Sequence, residues 1–103
     1  MSWMPELRNI AQKVRSKNAG PFWVTIDIFC GSPEAYDRIR EGLHTDAVAT
    51  LFDTPAQLLK RFDITSLNVI KISVPRPTVQ GTAADRDMHG AGWAALLAEM
   101  DID

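Results

Sequence analysis

Two stretches of this chain alternate with period two. In Phe22–Phe29, the residues Phe22, Val24, Ile26 and Ile28 share one side, and Trp23, Thr25, Asp27 and Phe29 the other. In Val69–Val74, Ile70, Ile72 and Val74 share one side, and Val69, Lys71 and Ser73 the other. A strand points successive side chains to opposite faces, so each stretch predicts a strand with one apolar face. The matching patterns place both strands in one sheet. They also put Asp27 and Lys71 on the same, mixed face, within reach of an ion pair if the strands are neighbours.

A different spacing precedes the first strand. Leu7, Ile10, Ala11 and Val14 fall three and four residues apart, which predicts an amphipathic helix over Met4–Lys17 lying on the apolar face of the sheet. Pro5 and Glu6 suit its first turn; Lys13, Arg15 and Lys17 suit its last, against the negative end of the helix dipole. Asn18-Ala19-Gly20-Pro21 then ends it. Ser32 and Pro33 suit an N-cap and first position for a helix over Glu34–Glu41, and Thr45 suits the cap of another over Thr45–Phe52. Ala56–Phe62 fits either a helical turn or a third strand. Pro75 and Pro77 stop the second strong strand. Trp93–Met100 is rich in helix formers, although a final strand also fits. The order predicts one domain over 1–103 of the α+β class: a compact two-layer unit with a small mixed sheet packed against helices.

Composition narrows the function classes. The 103 residues are 46% hydrophobic and 23% charged with net charge −2, which is ordinary for a globular domain and gives no dominant basic patch for nucleic acid. The single cysteine, Cys30, excludes an internal disulfide. No apolar run has the length of a membrane span, and the N-terminal residues do not resemble a signal peptide, so a soluble cytoplasmic protein is expected.

The polar residues that invite chemistry fall in two runs. Arg15, Lys17 and Asn18 lie before the first strand; Arg76, Gln80, Asp85, Asp87 and His89 lie after the second. Loops that leave a rigid scaffold are common places for binding groups. Arg15, Lys17 and Arg76 together suit a carboxylate or phosphate, and the first two equally suit simple capping of a helix end. Arg76, Gln80 and Asp85 are the further substrate-binding candidates. His89 is a candidate acid or base oriented by Asp87, and Lys71 a lysine tuned by Asp27. Asp85-x-Asp87-x-His89 also has the donor types for a divalent cation, but Arg86 within it opposes one, and hydrogen bonding that holds the loop is the preferred reading. No metal and no cofactor is expected. The usual nucleophile-elbow, phosphate-loop, zinc and dinucleotide signatures are absent from the sequence.

The blocks Arg15–Phe29 and Val69–Gly92 resemble the two signature blocks of a small uncharacterised domain family. Its members are encoded beside, or fused behind, AtuA-like proteins linked to acyclic terpene utilization. The resemblance implies a small subunit or accessory domain of a two-component enzyme with an AtuA-like partner, acting on a carboxylate or acyl-CoA metabolite. The alternative is a non-catalytic binding or assembly module that docks a partner through its polar loop, with Trp3, Trp23 and Trp93 as anchors. Self-association through the mixed sheet face is expected in either case. Neither nucleic acid nor membrane is expected as a partner. Where the family continues with a glutamine-containing run, this chain has Gly92-Trp93-Ala94.

Overall fold

The computed structural model describes residues 5–76 and 90–102. Both predicted strands form. β2 spans Trp23–Phe29 and β4 spans Val69–Pro75, paired antiparallel with Ile26 opposite Ile72 and Asp27 opposite Lys71. β1 (Lys13–Asn18) flanks β2 and β3 (Lys60–Ile64) flanks β4, giving the order β1-β2-β4-β3. Every pairing is antiparallel, so the sheet is not mixed.

The helix predicted over Met4–Lys17 is not present in the described part of that range. Leu7–Asn9 make a single 3-10 turn, and Lys13–Asn18 are β1. The apolar stripe itself was read correctly: Leu7 is fully buried, and Ile10, Ala11 and Val14 pack against the core. The competing signal is the alternation Lys13-Val14-Arg15-Ser16-Lys17, which suits a strand. Hydrogen bonding to β2 satisfies one edge of its backbone. Asn18-Ala19-Gly20-Pro21 therefore closes a hairpin and does not end a helix. Gly20 takes φ +80°, and the Ala19 N–H donates to the Trp23 carbonyl at 2.8 Å.

The remaining elements follow the local signals more closely. α1 spans Pro33–Gly42, and the Ser32 hydroxyl accepts from the Ala35 N–H at 3.1 Å, the expected N-cap bond. α2 spans Thr45–Leu51, but its N-cap position is His44; the Thr45 hydroxyl instead accepts from Arg61. Ala56–Phe62 contains both proposed conformations, a 3-10 turn at Ala56–Leu58 and then β3. α3 spans Gly90–Ala98 and packs on β1 and β2, covering the face assigned to the first helix. The chain ends pair as well: the Leu7 N–H donates to the Met100 carbonyl at 2.8 Å, and the Ile102 N–H to the Pro5 carbonyl at 2.9 Å.

The core lies on one side of the sheet. Val24, Ile26, Ile28, Ile70, Ile72 and Val74 have no exposed surface, and they meet Tyr36 and Ile39 of α1, Val48 of α2 and Leu97 of α3. Phe22, predicted to join this face, sits just before β2 and is 57% exposed. Trp93, a candidate surface anchor, is buried with its ring tilted against Phe52 at 4.8 Å between centroids. Trp3 lies outside the described residues. Among the described residues, no helix is long and apolar enough to cross a membrane.

Candidate functional site

The described helices all serve the apolar side of the sheet, so the alternate residues of the same strands form a second face. Register arranges that face in rows. One row runs Arg15, Asp27, Lys71, Phe62 across β1, β2, β4 and β3. The next runs Lys17, Thr25, Ser73, Lys60, and on the other side lies Lys13, Phe29, Val69, Ile64. Trp23, Thr25, Asp27 and Phe29 are all partly exposed there, and Phe62 is half-exposed.

Asp27 is the centre of this face. Its Oδ1 is buried and accepts no hydrogen bond among the described residues, while Lys71 Nζ stands 3.6 Å away, an ion pair longer than a hydrogen bond. The predicted Asp27–Lys71 pair thus exists, in a geometry that leaves the carboxylate with acceptor capacity. Beside it lies a shallow depression of about 220 Å³ bounded by Arg15, Ser16, Lys17, Thr25, Asp27 and Phe29. Lys13 and Lys60 complete the cationic surround. They are stacked by cation–π contact over Phe29 at 5.8 Å and over Trp23 at 5.3 Å.

Arg76 and Asn18 come together elsewhere. Arg76 is buried, and its Nη1 donates to Asn18 Oδ1 at 2.6 Å, a short charge-assisted bond. The Arg76 N–H donates to the Phe22 carbonyl at 2.8 Å. Asn18 pairs with Val24 and so follows the helix-side parity of β1, as does Ser16, whose hydroxyl accepts from the Ala94 N–H of α3 at 2.9 Å. The two polar runs therefore do approach each other at the end of the sheet. Strand alternation, however, sends Arg15 and Lys17 to the open face and Asn18 to the covered one. The other predicted site residues, Gln80, Asp85, Asp87 and His89, lie outside the described residues.

Two further groups have structural duties. Arg61 was not singled out by sequence reasoning. It donates to the carbonyls of Leu43 and Arg40, to the Thr45 hydroxyl, and to Asp63 at 2.9 Å, so it ties the α1–α2 turn to β3. Cys30 is buried, and its thiol points to the Ile28 carbonyl at 3.9 Å. Burial, reinforced by the Asp63 charge, pushes its pKa from an ordinary 9.0 to about 11. It is a packed thiol and not an activated nucleophile. Sequence reasoning also missed Lys13 and Lys60 as parts of a shared face. The alternation through Lys13–Lys17 was the available signal for the first.

A family model described as a domain of unknown function (DUF4387) matches residues 7–101. No curated protein and no solved structure matches the chain. The match covers nearly the whole chain, and the chain belongs to this family.

Proposed function

We propose that this member of the DUF4387 family is an accessory docking module, seated through the open face of its sheet on a larger protein. One observation supports this above all. Among the described residues, helices cover the sheet on one side only, while the other presents half-buried aromatic residues around the Arg15–Asp27–Lys71 row. A single-layer face of that kind is typical of a surface completed by a partner. Separation of Arg15 and Lys17 from Arg76 and Asn18 favours docking over a self-contained catalytic pocket.

The partner is an AtuA-like protein, and the pair acts on a carboxylate or acyl-CoA metabolite. This finer statement rests on the resemblance of the Arg15–Phe29 and Val69–Gly92 blocks. In this reading the larger subunit supplies most of the reaction chemistry. The small subunit lends cations, Arg15 and Lys17, to a ligand anion at the interface. A role for Lys71 as a catalytic base is secondary, because its ammonium already faces Asp27. Asp87 and His89 belong to the enzyme-component reading, in which the small subunit itself contributes an acid or base.

Co-expression with an AtuA-like protein tests the proposal. The expected result is one complex that co-elutes on size exclusion and turns over a branched acyl-CoA or hydroxy acid that neither protein converts alone. Separate elution of two folded proteins, with no gain of activity on mixing, overturns it.

A further inference from the structure

The two faces of the sheet differ in charge as well as in polarity. Lys13, Arg15 and Lys17 of β1, Lys60 of β3 and Lys71 of β4 all have open-face parity, whereas Asp27 is the single carboxylate of that parity in the four strands. The chain as a whole carries net charge −2. Folding therefore gathers cations from three separate stretches of sequence onto one side of an otherwise acidic molecule. From this we infer that the open face docks onto an acidic protein surface. The inference rests on the docking reading above and names the chemistry of the partner.

Three features select that occupant. First, charge complementarity is what speeds and aligns association of polar faces, and this face is cationic around its rim, on β1 and β3. Two copies stacked face to face would set cation against cation, which disfavours the symmetric dimer. Second, the centre is not cationic. Asp27 faces Lys71 there at 3.6 Å, so the pair is close to neutral and the net positive charge of the face falls to Lys13, Arg15, Lys17 and Lys60 around it. Third, the two aromatic residues of β2 are badly placed for a nucleic acid strand. Trp23 and Phe29 stand at opposite ends of β2, roughly 20 Å apart at about 3.4 Å per residue, with Asp27 between them. Lys60 and Lys13 already lie over their rings, where bases would stack.

Poly-L-glutamate is the probe, with an oligothymidylate and poly-L-lysine beside it. Binding is followed by backbone amide shifts of the isotope-labelled chain. The expected result is that poly-L-glutamate shifts Thr25, Asp27, Lys71 and Ser73, and that its affinity falls steeply between about 50 and about 500 mM salt. The combined change Lys13→Glu, Arg15→Glu and Lys17→Glu reduces that affinity by at least about tenfold, while Arg38→Glu on the exposed side of α1 leaves it unchanged. A shift map centred on α1 and α2, an oligothymidylate that binds as tightly, or wild-type affinity in a folded triple variant each overturns the inference. The docking reading fails separately. If the triple variant still forms a salt-resistant complex with the AtuA-like protein, docking stands and the acidic partner falls. If poly-L-glutamate binds as expected but no complex forms, the reverse holds.

Discussion

The covered and open faces of this sheet are built from the same four strands, one residue out of step. On the covered side Ile26 and Ile72 face each other fully buried; next to them on the open side Asp27 faces Lys71 at 3.6 Å. One face holds the fold together by removing apolar surface from water. The other carries Arg15, Asp27 and Lys71, proposed above to face a partner, and its long ion pair is expected to add little stability. The comparison teaches that in a two-layer domain the side of a residue, more than its place in sequence, decides whether its loss is felt in folding or in binding.

The largest test of that contrast is on the covered face. Ile72→Ala is expected to cost about 2–5 kcal/mol in urea unfolding, through lost burial and the cavity left behind. A cost within experimental noise would break the comparison outright. Arg61→Ala comes next. It leaves the carbonyls of Arg40 and Leu43 without their donor, and a loss of about 1–3 kcal/mol is expected with the sheet otherwise intact.

Cys30 sharpens the comparison through pH. Its thiol ionises near 9.0 in the unfolded chain and near 11 in the folded one. The unfolded state then releases its proton first, so the Cys30 contribution to stability is complete below about pH 9 and is lost as pH rises toward about 11. Unfolding free energy measured across that range should fall less steeply in Cys30→Ala than in the parent. Equal slopes would show that the folded state does not hold the thiol neutral.

The smallest effect is expected on the open face. Lys71→Ala should change stability by no more than about 1 kcal/mol, because the pair with Asp27 is long and Lys71 is part-exposed. The same substitution should weaken any complex formed through this face. A large stability loss without a binding effect would move Lys71 from the recognition side of the comparison to the structural side.

Much of this was legible locally. Period-two alternation located β2 and β4, and their shared pattern implied the Asp27–Lys71 pairing. Ser32-Pro33 signalled the start of α1. The first segment was misread because Leu7, Ile10, Ala11 and Val14 satisfy a helical spacing while Lys13–Asn18 satisfy a strand. The two patterns share Val14, and only pairing with β2 distinguishes them. The approach of the two polar runs was legible, as the Arg76–Asn18 bond shows. It was not legible that Arg15 and Lys17 turn away from that bond. Reading β1 as a helix removed the alternation that separates them.

The sequence by itself determined the class of the fold, the two central strands and the apolar face that forms the core, because these depend on periodicities of a few residues. Only the tertiary structure decided which helix covers that face, that the first polar run is an edge strand, and that cations from β1, β3 and β4 meet around Asp27. Those outcomes depend on pairings between distant segments. A lysine at position 13 and another at position 60 become neighbours of one surface only when the strands between them have taken their register.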